Sequence, residues 1–203
     1  VLTPPVTPVP HPASVVSDRA DPFGCYPVPY LPWFDLVLHH CECRSILGPA
    51  GWPALGISDA EGWQWEWFMT QHALAEPALF YVRLLFASDD LIRLGALPRA
   101  TAHWLQAQSL RAIHAALSDP ARATADPMIL AIGRIAMHEA LYGDGDRARA
   151  AALHRHAQAR MVALRGGLAA LPFPAIVKRL MRWADGVMAV QTGSAPLLVP
   201  HDA

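Results

Sequence analysis

Imidazole and carboxylate groups concentrate in residues 138–168, which read HEALYGDGDRARAAALHRHAQARMVALRGGL. These two groups are the ones that enzymes use most often to move protons. If the chain is an enzyme, we expect His138, Glu139 and His154 to be the catalytic residues. His138 and Glu139 would then act as acid and base, with His154 as a second base, and Arg134 would orient or stabilise an anion.

The same residues have a purely structural interpretation, which we favour. His138 and Glu139 begin the zinc-protease motif H-E-x-x-H, but Tyr142 occupies the position of the second histidine, so that motif is excluded. Arg134, His138 and Glu139 are the strongly polar residues of an otherwise apolar helix. A buried charge that loses its partner costs about 3–5 kcal/mol, so these groups must pair or face a cavity. A structural network is the first interpretation, and a polar-lined pocket or an acid–base pair is the alternative.

His154 and His156 are two residues apart, so on a helix they point about 200° away from each other. His154 is in register with Ala150, Ala157 and Met161. We therefore expect His154 to face inward and His156 to face outward.

Aromatic residues supply the expected lining of a ligand site. The chain has seven tryptophans, and Trp63, Trp65 and Trp67 alternate, so they spread over more than one helix face. Burial in the core is the first interpretation of such residues. If a pocket exists, it suits an apolar small molecule. We expect its ligand-binding residues to be Arg134, Trp67, Phe68, Phe86 and Trp104.

We expect no metal and no cofactor. His39 and Cys43 lie one helical turn apart, but no second pair of ligands at zinc spacing follows. Asp144 and Asp146 fit turn and helix-capping roles better than calcium binding. The three cysteines do not make a disulfide framework, which favours a reduced intracellular compartment.

Helical periodicity and helix-start signals run through most of the chain, and no alternating strand pattern occurs. Apolar residues recur at helical spacing from Trp33 to about Arg44, and Ser58 with Glu61 fits a capping box. Further starts are marked by Pro77, by Pro98 and by the pair Asp126-Pro127, where proline suits the first helical turn. We predict an all-α fold, a single bundle of about seven helices. Its divisions are a proline-rich arm at 1–32, a helical domain at 33–191 and a tail at 192–203.

The overall composition excludes several classes of partner. The chain is 53% hydrophobic and carries a net charge of −1, so attraction to nucleic acid or to anionic lipid is not indicated. No apolar run approaches the roughly 18 residues that span a bilayer. We therefore expect no direct nucleic-acid binding and no membrane insertion.

Five segments in order resemble the fungal-specific transcription factor domain, the helical regulatory region that usually follows a binuclear zinc cluster. They span roughly residues 21–189. The segments are DPFGCYPVPYLPWFDLVLHH, ALAEPALFYVRLLFAS, HEALYGD, LHRHAQARMVALRGGL and LMRWADGVMA. The resemblance implies a regulatory domain that binds a small apolar effector or a protein partner.

This chain departs from that family in one respect, since it lacks the six-cysteine zinc cluster and the basic stretch that contact DNA. Our leading hypothesis is a regulatory or ligand-binding domain without its own DNA-binding segment, nuclear in location. The alternative is a cofactor-independent lyase, cyclase or isomerase of secondary metabolism that acts on an apolar small molecule in the cytoplasm. A third possibility is a helical interaction module that forms a homodimer.

Overall fold

The computed structural model describes residues 24–44, 51–143 and 146–199, and in these ranges the chain forms seven α-helices and no β-strand. The predicted all-α fold is therefore confirmed. The helices are α1 Phe34–Arg44, α2 Asp59–Ala75, α3 Pro77–Arg93, α4 Arg99–Leu117, α5 Asp126–Tyr142, α6 Asp146–Leu164 and α7 Ala175–Thr192, with a short 3-10 helix at Pro53–Leu55. None of the helices in these ranges is both long enough and apolar enough to cross a bilayer.

The predicted starts of α2 and α3 are found in the structure, and side-chain hydrogen bonds cap both of them. The Ser58 hydroxyl accepts from the backbone N–H of Glu61, and the Glu61 carboxylate accepts from the backbone N–H of Ser58, so the capping box at the start of α2 is complete. Glu76 caps α3 by accepting from the N–H of Ala78, and Pro77 occupies the first turn. Side-chain capping satisfies backbone donors that a helix start leaves unbonded.

The chain divides into two compact units, Val1–Ala112 and Ile113–Ala203, and α4 runs across the division. In the first unit, α3 packs against α1 and α2. In the second unit, α5 packs against α6 and α7. Each unit is thus organised around one helix that meets two others.

The two central helices are the ones that the sequence makes apolar nearly all round. Every residue of α3 from Ala78 to Ser88 is buried, and so is every residue of α5 from Met128 to Glu139 except Arg134, which is half-buried. An all-round apolar surface is stable only when other elements cover every side of the helix. The polar residues on these helices are therefore forced into the interior, where they need partners.

Aromatic rings fill the core of the first unit around α1, α3 and α4. Neighbouring rings have centroid separations of 4.7–6.5 Å, mostly in edge-to-face or tilted arrangements, which aromatic pairs prefer. The residues of this aromatic cluster are Tyr26, Tyr30, Trp33, Phe34, Phe80, Tyr81 and Trp104.

At three positions of the second unit, the structure explains why the residue is glycine. A Cβ at Gly133 would lie 1.9 Å from Nε2 of Gln158, so glycine is what allows α5 and α6 to approach closely. Gly166 and Gly167 adopt φ values of +86° and +88° after α6, in the left-handed region that favours glycine at the end of a helix. Gly133 thus permits the close approach of α5 and α6, and the two later glycines end α6.

Candidate functional site

Glu139 on α5 and His154 on α6 meet in the second unit. Nδ1 of His154 lies 2.7 Å from Oε2 of Glu139, although the two residues are 15 positions apart in the sequence. The Glu139 side chain is 2% exposed, whereas that of His154 is 21% exposed. The pair therefore consists of an interior carboxylate and an imidazole that reaches the surface of the unit.

The packing of α5 against α6 explains this geometry. Glu139 stands near the end of the buried run of α5, so its carboxylate needs a partner from a neighbouring helix. The buried residues of α6 lie at 151, 155, 158, 161 and 162, and His154 lies at the edge of that face rather than at its centre. His156 is exposed, as predicted.

The hydrogen bond defines the chemistry that the imidazole can offer. When Nδ1–H donates to the Glu139 carboxylate, the neutral ring carries its lone pair on Nε2. Among the described residues, none besides Glu139 forms a hydrogen bond with the imidazole of His154. Nε2 can therefore accept a proton or a hydrogen bond from a bound molecule, while Glu139 fixes the orientation and tautomer of the ring.

The other polar candidates on α5 lie close by in the sequence but have different environments. His138 is buried, and its ring lies over that of Tyr142 with a centroid separation of 5.2 Å. Arg134 is half-buried, one turn before His138. Of the three predicted catalytic residues, the described contacts thus join Glu139 to His154.

Comparison with known proteins identifies no relative. No protein-family model, no curated protein and no solved structure matches this chain. The resemblance to the fungal transcription factor domain therefore stays a prediction.

The predicted aromatic lining residues all belong to the first unit and differ in exposure. Phe86 and Trp104 are buried, and Trp104 is part of the aromatic cluster. Phe68 is half-buried, and its ring packs in a tilted arrangement against that of His72 at a centroid distance of 4.2 Å. Trp67 is 68% exposed, so it lies on the surface rather than in an interior pocket.

Sequence reasoning missed two interior ion pairs. In the first unit, the guanidinium of Arg83 donates to the carboxylate of Glu66 and, at 2.7 Å, to the hydroxyl of Thr70. In the second unit, Nε of Arg155 donates to Oδ1 of Asp185 at 2.6 Å. All four charged side chains are at most 11% exposed. Each pair links two helices, which is the arrangement of a scaffold rather than of a substrate site.

No cluster of three or more metal-binding side chains occurs among the described residues. His39 is exposed, and Nε2 of His40 lies 3.4 Å from Oδ2 of Asp90. The side chains of Cys41 and Cys43 lie outside the described part of the structure, as does Asp144. The described residues therefore offer the Glu139–His154 pair as the candidate site.

Proposed function

We propose that this chain is a helical regulatory domain that binds a small molecule at the Glu139–His154 pair. Binding would shift the equilibrium between arrangements of α5 and α6, because a ligand stabilises the conformation for which its affinity is higher. The observation that carries this proposal is the 2.7 Å hydrogen bond that orients a partly exposed imidazole on a buried carboxylate.

The positions of the ion pairs within the resemblance support a single regulatory unit. Glu139 belongs to the segment HEALYGD, and His154 belongs to LHRHAQARMVALRGGL. Arg155 lies in that second segment too, and its partner Asp185 lies in LMRWADGVMA. Polar residues of three of the five segments therefore pair with one another, which supports treating these segments as one regulatory unit.

The chemistry of the site indicates the class of ligand. Nε2 of His154 offers one polar contact. Leu141 on α5 and Leu153 on α6, close to the pair in sequence, are apolar side chains that stay 41% and 70% exposed. A molecule with an apolar body and one hydroxyl or carboxyl group matches such a surface. Specificity would come from the single hydrogen bond, because a site that loses such a bond leaves a polar group unsatisfied.

A reporter assay tests the regulatory role. The chain is fused to a heterologous DNA-binding domain, and reporter expression is compared with that domain alone. We expect the fusion to change expression. We expect His154→Asn, whose amide N–H can still donate to Glu139 but which lacks Nε2, to alter that change while the melting temperature of the purified domain stays close to that of the wild type. His156→Asn is the matched control, because His156 is exposed two residues away on the same helix. Expression identical to that of the DNA-binding domain alone would refute the proposal.

The same geometry favours acid–base catalysis as a second candidate function. A histidine base oriented by a carboxylate contributes about 10²–10⁴ in rate, which suffices for a cyclisation or an isomerisation without a cofactor. The observation that favours it is the carboxylate on Nδ1, since that bond keeps Nε2 available as the base.

Metabolite profiling distinguishes catalysis from binding. Fungal metabolite extract is incubated with the wild-type chain, with Glu139→Gln and with His156→Phe, and the products are compared by mass spectrometry. Under the enzyme hypothesis, one compound is consumed by the wild type and by His156→Phe but not by Glu139→Gln. Identical profiles for all three would exclude catalysis on the compounds present and would leave the regulatory proposal standing.

A further inference from the structure

One face of α2 exposes large apolar side chains to solvent. Trp63 is 60% exposed, Trp67 is 68% exposed and Leu74 is 38% exposed. They occupy positions i, i+4 and i+11, which fall within about 40° of one another around a helix. We call these three residues the tryptophan stripe.

The core of the first unit does not account for the tryptophan stripe, because α2 meets that core with a different face. Trp65, Met69 and Ala73 are buried, and α2 packs against α3. The helix is therefore apolar on two sides. In the described part of the chain the second side stays largely exposed, although the ring of Trp63 packs edge-on against that of Trp52 at a centroid separation of 5.3 Å. The largest exposed apolar patch on a monomeric protein typically measures about 300–600 Å² and is often functional.

The charge of the α2 face indicates which occupant fits. From Trp63 to Ala75, the one acidic or basic side chain besides His72 is Glu66, which is buried and bonded to Arg83. An acidic or basic partner would therefore find no complementary charge. A lipid surface is disfavoured too, because membrane-surface helices carry lysine and arginine on their polar side. An uncharged face is compatible with itself, since no like charges meet.

We propose that the tryptophan stripe pairs with the same stripe of a second copy of this chain, with the two α2 helices antiparallel. The twofold axis that relates the two copies passes beside Trp67, so the Trp67 indole of one copy contacts the Trp67 indole of the other. Because Ala60 and Leu74 are each seven residues from Trp67, Leu74 of one copy then lies against Ala60 of the other. Exposed Gln64 and Gln71 flank the stripe, and amide side chains can both donate to and accept from each other across the axis.

The size of the stripe sets the strength of this dimer. A large aromatic side chain buries about 150–250 Å² in full, so the exposed parts of the three residues amount to roughly 300–400 Å². A standard stable interface buries about 800 Å² on each partner. The stripe with its flanking residues is smaller than a standard interface, so we expect a weak, reversible dimer that forms in the micromolar range or above.

Sedimentation of the full chain tests association. The wild-type mass should rise from 22.1 kDa towards twice that value as concentration passes through the micromolar range. Trp67→Glu places two like charges together at the axis and should weaken dimerisation at least tenfold. Leu94→Glu is the matched control, because Leu94 is 69% exposed in the same unit but lies outside the stripe, and it should dimerise as the wild type does. Circular dichroism checks that both variants fold.

Cysteine cross-linking tests the antiparallel register. Trp67→Cys and Trp63→Cys are each made in a background with Cys25, Cys41 and Cys43 replaced by serine. The two copies of position 67 face each other, whereas those of position 63 lie eight residues, or about 12 Å, apart along the axis. A disulfide needs Cα atoms about 4.4–6.8 Å apart. Oxidation should therefore link the protein at position 67 and leave it unlinked at position 63.

Three outcomes would overturn the proposal. The first is a wild-type chain that stays monomeric at every concentration. This outcome counts against the proposal even if the tryptophan stripe is then found to bind a different protein. The second is a dimer that Trp67→Glu leaves intact, since the interface would then lie elsewhere. The third is equal cross-linking at positions 63 and 67, which would indicate parallel helices.

Discussion

Arg155 on α6 and Asp185 on α7 form a buried ion pair that also holds the chain after α7 in place. The side chains are 4% and 2% exposed. The remaining guanidinium nitrogens of Arg155 donate to the Ser194 hydroxyl and to the Ala195 carbonyl, each at 2.7 Å. Oδ2 of Asp185 accepts from the backbone N–H groups of Leu197 and Leu198 at 2.6 and 2.8 Å. The side chains of Arg155 and Asp185 therefore form hydrogen bonds with each other and with four polar groups of the segment that follows α7.

Replacing Asp185 by asparagine should lower the free energy of unfolding by about 3–5 kcal/mol, because Arg155 would be left as a buried charge without its counter-ion. Denaturant unfolding followed by circular dichroism measures the change. Arg160→Met is the control, since Arg160 is exposed on the same helix and should change stability by no more than about 0.5 kcal/mol. Equal losses in the two variants would mean that the pair contributes nothing specific.

The Glu66–Arg83 pair should show strong coupling between its two partners. Glu66→Leu alone leaves the Arg83 guanidinium buried and should cost about 3–5 kcal/mol, whereas adding Arg83→Met should recover most of that loss. A double-mutant cycle on unfolding free energies measures the coupling. Purely additive effects would show that solvent, rather than Glu66, balances the charge of Arg83.

The close approach of α5 and α6 should make Gly133 intolerant of a methyl group. A Cβ there meets the Gln158 side chain, so Gly133→Ala should lower the free energy of unfolding by about 1–3 kcal/mol. Gly186→Ala is the matched control, because Gly186 lies within α7 with no atom within 4 Å of the added Cβ, and it should gain up to about 1 kcal/mol. A gain at both positions would contradict the close contact.

Tyr30 should make stability fall at alkaline pH. Burial and then the 2.7 Å hydrogen bond to Asp35 raise the pKa of Tyr30 well above its usual value. The folded state therefore holds this proton more tightly than the unfolded state, so the stabilisation is complete below pH ~10 and is lost as the pH rises above that value. Tyr30→Phe should cost about 1–3 kcal/mol at neutral pH and reduce the alkaline decline, as measured by unfolding at a series of pH values.

An ultraviolet titration gives an independent check on Tyr30. The chain has four tyrosines, and tyrosinate absorbance reports their ionisation. At least one tyrosine should stay neutral well above pH ~10 in the folded protein and titrate normally in denaturant. Four tyrosines that all ionise near pH 10 in the folded state would rule out the raised pKa.

The elements of this fold could be predicted from the sequence because their signals are local. The capping box at Ser58, the proline at 77 and the glycines at 166–167 each fix a helix end through neighbours in the chain. The all-round apolar character of α3 and α5 can also be read from the sequence, and each of these helices packs against two others of its unit.

The interior polar contacts could not be predicted in the same way, because they depend on which helices meet. Arg155, Gln158 and Asp185 are residue types that normally mark a surface, yet all three are buried. Helical spacing puts His154 in register with Ala157, but Ala157 is exposed and the buried face of α6 includes Arg155 and Gln158. The partnership of His154 with Glu139 therefore required the packing of α5 against α6.

The bonds from Arg155 and Asp185 decide where the second unit can be trimmed for expression. A fragment that ends with α7 at Thr192 would contain the seven helices of the described residues. It would lack the hydroxyl, the carbonyl and the two N–H groups that Arg155 and Asp185 bind. In such a fragment the side chains of Arg155 and Asp185, between α6 and α7, would lose these hydrogen bonds and become more exposed. We expect it to misfold or aggregate more readily. A soluble fragment should therefore extend through Leu198, six residues past the last helical turn.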